Sequence, residues 1–194
     1  MNKIEIKHFI NSHRDLKYSA AKLVYSMYLY GDLGDKIIEI SGEINKRPED
    51  PIMEAAIQNA AAPEELLNLM RKPMSLSNQL LLRNRILEKE DAMLPLVQRM
   101  ALRSKQDVFI ENTVYFFLKC EADPSPWIME HYAQVQSEYM KSMLCLVLGF
   151  KGTPEYIPFL IEEAKRMEQN YPQETHDQGP ALAVQELAVR FLNN

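Results

Sequence analysis

Residues able to do chemistry are few in this chain, and each sits in a spacing that can be tested against the chemistry it would serve. Glu5-Ile6-Lys7-His8 has the Glu-x-x-His spacing of carboxylate di-iron bundles, in which one turn of helix presents both ligands on one face. That centre takes a second Glu-x-x-His and two further glutamates on facing helices. The sequence has no second copy. Ser19-Ala20-Ala21-Lys22 has the Ser-x-x-Lys spacing of some acyl-transfer enzymes, without their companion motifs. Cys145 lies in an apolar stretch, where a thiol acts as a small hydrophobe. Cys120 stands near a helix end beside Lys119, a place open to solvent. His176-Asp177, beside Thr175, falls in a polar loop and reads as a loop-borne site or a plain surface turn. Gly31-x-x-Gly34 lacks the preceding strand and pattern of a phosphate loop. His8, His13, His131 and His176 form no metal-binding i,i+4 pair. The sequence therefore predicts no catalytic, cofactor-binding or metal-ligating residue, and a chain that is not an enzyme.

Side chains suited to binding are better represented. Arg83, Arg85, Arg99 and Arg103 lie between Leu80 and Gln106, a stretch with six basic and three acidic residues. From Cys120 to Pro180 the balance inverts, with ten acidic and four basic residues. Such polarity orients a partner by its field, or marks two solvated faces. Tyr18, Tyr25 and Tyr28 are seven and three residues apart, so they share one helical face. That face packs on a neighbouring helix, or forms a recognition surface of the kind enriched in Tyr and Met. The candidate partner-binding residues are Arg83, Arg85, Arg99, Arg103, Tyr25 and Tyr28.

The whole-chain balance narrows the partners. Over 194 residues the net charge is -5, with an isoelectric point near 5.5. A general nucleic-acid binder normally shows a basic balance, so nucleic acid is disfavoured. The two cysteines sit inside helical patterns, which fits a reducing cytoplasm rather than a disulfide framework. Residues Met1 to His8 carry no apolar signal core, and no apolar run approaches the roughly 20 residues of a membrane span. The expectation is a soluble, cytoplasmic chain that needs no cofactor. The sequence leaves its oligomeric state open.

The elements that must position these residues are helices. Glycine is scarce, at 6 residues, and good helix formers dominate. Thr153-Pro154-Glu155 reads as a helix start, with a capping hydroxyl and a proline where a missing N–H costs nothing. Apolar residues follow at Ile157, Leu160, Ile161, Ala164 and Met167, one stripe of a helix. Related starts occur at Ala62-Pro63, Asp91-Ala92 and Ser125-Pro126. The starts at 63, 92, 126 and 154 are about 30 residues apart, a helical-repeat period. Each is followed by a second helix, near Ser77–Glu88, Asp107–Cys120, Ser137–Phe150 and Gly179–Leu192. These second helices are the more apolar, as expected of helices covered on most sides. Residues 1–61 are less regular. They read as a helix from Leu16 to Tyr30, a pair near Asp35–Asn45 and Pro51–Ala61, and a short cap before Leu16. Asn170 to Gly179 forms a long polar loop inside the last pair.

Leu148-Gly149-Phe150-Lys151-Gly152 followed by Thr153-Pro154-Glu155-Tyr156-Ile157-Pro158-Phe159-Leu160 resembles the junction between two HEAT-type repeats, and Asp91 to Val97 looks like a second copy of the first helix. The resemblance covers residues 62–194 well and 16–61 loosely. It departs from the family in lacking the clearly placed Asp and Arg of the intra-repeat ladder. It implies an all-α, right-handed α-α superhelix of about five to six helix pairs. It also implies one domain over residues 1–194, irregular at 1–61 and regular over 62–194. Its concave face, lined by second helices, would bind a protein or peptide as a non-catalytic scaffold or regulatory adaptor. The alternatives are a DNA-binding or base-excising helical-repeat protein, or an accessory subunit of an enzyme.

Overall fold

The structure, a computed structural model, describes residues 2–13, residue 36 and residues 48–191. The expected helices at Leu16–Tyr30 and Asp35–Asn45 lie outside the described residues. Among the described residues the regular structure is helical, with no strand. The chain divides into two compact units: Met1–Lys22 with Glu121–Asn194, and Leu23–Cys120.

In the Leu23–Cys120 unit, α2 (Asp50–Asn59) is followed by α3 (Pro63–Leu69), α4 (Leu76–Leu87), α5 (Glu90–Ala101) and α6 (Asp107–Lys119). The start of α3 follows its sequence. Pro63 takes the first position, and the Glu65 carboxylate accepts the Ala61 and Ala62 N–H groups at 2.8 and 3.0 Å. α5 begins at Glu90, one residue ahead of the expected aspartate cap, and keeps Pro95 inside the helix on its exposed side. Packing skips alternate helices: α4 touches both α2 and α6, while α3 touches α5. That is two layers, with first helices in one and second helices in the other. α6 shows why the second layer is apolar. Asn112 through Leu118 are all buried, so the helix keeps no solvated face over that stretch.

The other unit is likewise helical. It holds α1 (Lys3–Ser12), α7 (Ser125–His131), a 3-10 turn at Tyr132–Gln134, α8 (Glu138–Lys151), a 3-10 turn at Pro154–Tyr156, α9 (Ile157–Asn170) and α10 (Gln178–Phe191). The Thr153 start opens the short turn, and the α-helix proper begins three residues later. The α9 stripe at Ile157, Leu160, Ile161, Ala164 and Met167 is buried as its spacing predicts. Second helices α8 and α10 pack on each other. Their crossing is set by small residues. A Cβ on Gly149 would lie 2.5 Å from Ala183 Cα, and one on Gly179 would lie 2.1 Å from the Ser142 carbonyl oxygen. Arg190 of α10 then closes the end of α8, donating to the carbonyls of Phe150, Gly149 and Gly152 at 2.7, 2.9 and 3.0 Å.

α1 belongs to this unit and not to the start of the other. Its Ile6 and Phe9 are buried, it packs on α10, and Gln185 Nε2 donates to the His13 carbonyl at 3.2 Å. The N-terminal helix, expected as a short cap on the irregular first repeats, packs instead on α10. Apolar stripes on a terminal helix need such a cover. Replacing Gly149 by Val should lower stability by about 1–3 kcal/mol, because the clash is with backbone and cannot be relieved by a rotamer change. Gly179→Ala should behave alike, and urea midpoints equal to the parent's would contradict the close crossing.

Candidate functional site

The most connected polar group lies in the Met1–Lys22 and Glu121–Asn194 unit, where three elements meet. Tyr132 of the first 3-10 turn donates its hydroxyl to Glu163 Oε2 of α9 at 2.9 Å. Its oxygen lies 3.3 Å from Cys145 Sγ of α8. With the single phenolic proton given to the carboxylate, the thiol is the donor to Tyr132. Arg166 Nε donates to both Glu163 oxygens at 3.1 and 2.9 Å, and its Nη2 reaches Glu138 Oε2 at 2.6 Å. Lys141 Nζ completes the chain on Glu138 Oε1 at 2.9 Å. Two carboxylates meet two cations, and every step is a hydrogen bond.

Electrostatics fix the protonation states. Burial, with Cys145 and Glu163 beside it, pushes the Tyr132 phenol far above its ordinary value, so it stays a donor. Burial pushes the Cys145 thiol up to about 12, which leaves it protonated at neutral pH and a poor nucleophile. Burial also acts to raise Glu138, but hydrogen bonds from Arg166 and Lys141 outweigh it and hold the carboxyl below its usual range. The network therefore ties α7's extension, α8 and α9 together.

The remaining chemical candidates are used locally. Glu5 forms a capping box with Asn2: the Asn2 N–H donates to Glu5 Oε2 at 2.9 Å, and Asn2 Oδ1 accepts from Ile4 and Glu5 at 3.0 Å each. That occupies the carboxylate of the Glu-x-x-His spacing. Cys120 is buried, contrary to the exposure its helix-end position allowed, and its thiol donates to the Phe117 carbonyl at 3.4 Å. His176 stacks beside Tyr139 with ring centroids 6.3 Å apart and meets the edge of Tyr171 at 5.8 Å. The polar loop is thereby pinned to α8. Burial holds the Asp177 carboxyl above its usual range, and Glu168 pushes the same way against His13 and His176. Among the described residues, no group of three or more His, Cys, Asp or Glu is placed to hold a metal. Ser19, Lys22, Gly31 and Gly34 lie outside the described residues.

The predicted binding residues are sorted by the Leu23–Cys120 unit. Arg83 is buried: its Nε donates to Asn112 Oδ1 at 3.2 Å and its guanidinium lies 4.5 Å over the Tyr115 ring. Asn112 in turn donates to the Met70 carbonyl at 3.0 Å, so Arg83 braces α4, α6 and the turn after α3. Arg85 is half-buried and ion-paired with Glu88. Arg99 and Arg103 are exposed at and just beyond the C-terminal end of α5. Arg71, Lys72 and Lys105, which the sequence reading did not select, are exposed in the turns after α3 and α5. The available signal was their position: the turns after α3 and α5 are both basic. Tyr25 and Tyr28 lie outside the described residues.

No described helix is long and apolar enough to cross a membrane. No protein-family model matches the chain, and neither the curated proteins nor the solved structures contain a significant match.

The Glu138 shift carries a pH dependence. Its folded value is depressed, so its stabilisation is present above the ordinary glutamate value of 4.5 and is lost as pH falls through the folded value. Glu138→Gln should cost about 1 kcal/mol at neutral pH. Urea titrations of the two proteins should converge on acidification, and a gap that persists into acid would refute the assignment.

Proposed function

We propose that the chain is a HEAT-like helical-repeat module that binds a protein or peptide through its second-helix layer. The observation that carries this reading is the alternate-helix packing. Within each unit the second helices adjoin one another, α2 with α4 and α6 in one and α8 with α10 in the other. A row of parallel helices gives a long, regular surface of the kind that repeat proteins use for extended ligands. On α4, Asn84 and Glu88 are exposed on the side turned away from the buried stripe. The polar network supports the reading further, because its carboxylates and cations are spent on one another and bind the helices together.

The buried placement of Arg83 weakens the nucleic-acid alternative, since it removes one of the four arginines on which that alternative rested. A photo-crosslinking side chain tests the proposal when placed at Asn84 in the full chain, expressed in the native host, with a second variant at Ala92 on the exposed start of α5. A discrete adduct from position 84 and none from position 92 is expected. No adduct from position 84, or equal capture from both, would refute binding through the second-helix layer.

A further inference from the structure

We propose that the edge of the Leu23–Cys120 unit formed by the turns after α3 and α5 is a docking surface for an acidic segment of a partner protein. This rests on the protein-binding reading above and adds to it a second, charged contact at one end of the first-helix layer. α3 and α5 lie side by side in one layer and run in the same sense, because a returning helix, α4, separates them in the chain. Their C-terminal ends therefore share an edge. Arg71 Nε donates to Gln106 Oε1 at 2.8 Å and ties the two turns to each other.

Arg71, Lys72, Arg99, Arg103 and Lys105 are gathered there, and all five are exposed. None forms an ion pair with a described residue. Other cations pair within a helical turn, as in Arg85–Glu88, Lys141–Glu138 and Lys165–Glu162. Two helix C-termini supply about one negative charge in total, half a charge each. That leaves most of the positive charge on this edge unbalanced, in a chain whose net charge is -5. Field and geometry both suit carboxylates: arginine takes a carboxylate through two parallel hydrogen bonds, and a patch of one sign steers an oppositely charged partner.

The patch favours a short acidic segment over a nucleic acid. Residues 70–75 and 99–106 contain no aromatic side chain on which a base would stack. Asp107 stands directly beyond Gln106 at the start of α6, and Glu64, Glu65, Glu90 and Asp91 occupy the opposite ends of α3 and α5. A phosphate backbone leaving the patch would run along acidic groups, whereas a segment ending within it would not.

The test is fluorescence anisotropy on the full chain with three labelled probes: a glutamate-rich peptide, a lysine-rich peptide of the same length and a DNA duplex. The glutamate peptide should bind best and weaken with salt. Changing Arg71, Arg103 and Lys105 together to Glu should weaken it by about tenfold or more. Lys165→Glu, a like charge change at an exposed cation already paired with Glu162 on α9, should bind like the parent. A triple variant that binds like the parent, or a glutamate peptide that binds no better than the lysine peptide, overturns the proposal. DNA binding that exceeds peptide binding and is lost in the triple variant assigns the edge to nucleic acid and also overturns it. If the triple Glu variant melts out, the same three positions changed to Gln carry the comparison. Partner capture from position 84 that survives the charge change leaves the repeat-module reading standing and removes the edge from it.

Discussion

The structure depends on one constraint, the burial of α6, α8 and α10, second helices that keep almost no polar face. A helix with a single apolar stripe is satisfied by one neighbour, and α9 is of that kind, with its stripe buried and Glu162, Lys165 and Glu168 in water. α8 is different: Ser142 through Phe150 are buried without interruption. Such a helix has to be flanked by its own partner and by the next second helix. Close flanking needs small residues, and Gly149, Gly179, Ala183 and Ser142 stand at the crossing of α8 and α10. The same logic places α1, since an uncovered last helix would leave apolar surface in water and Ile6 and Phe9 help to cover it.

Polar groups inside the stack follow from that burial. A turn or helix end between packed layers leaves carbonyls that water cannot reach. Asn112 serves the Met70 carbonyl, Asn78 the Asp50 carbonyl, and Arg190 three carbonyls at the end of α8. Arg83 and Arg166 take part in the same economy of contacts, one through an amide and an aromatic ring, the other through two carboxylates. Arginine in these places is a bracing residue, and its charge is not offered to a partner.

Helix positions were legible in the sequence because they rest on local signals. The starts at Pro63 and Ser125 and the second helices at Asp107, Glu138 and Gln178 lie within one or two residues of where caps and periodicity put them, while at Pro154 a 3-10 turn precedes the α-helix. What the sequence hid was anything set by tertiary partners. Arg83 and Arg99 look alike in a list of basic residues, yet one is enclosed by Asn112 and Tyr115 and the other is in water. Cys120 looked accessible from its helix end, and packing closed over it. Nothing local announces that α1 docks on α10, because that contact spans nearly the whole chain. The basic turns themselves could be read from the sequence, but not that they form one edge, since Arg71 and Gln106, which join them, are 35 residues apart.

Hydrogen exchange on the native chain, read by mass spectrometry, tests the layered packing most directly. Amides in α6 and α8, whose side chains are buried over Asn112–Leu118 and Ser142–Phe150, should exchange slowest in their respective units, and those of α3 and of residues 171–177 should exchange well ahead of them. Uniform protection across first and second helices, or exchange in α6 and α8 as fast as in α3, would contradict a stack held by its second-helix layer.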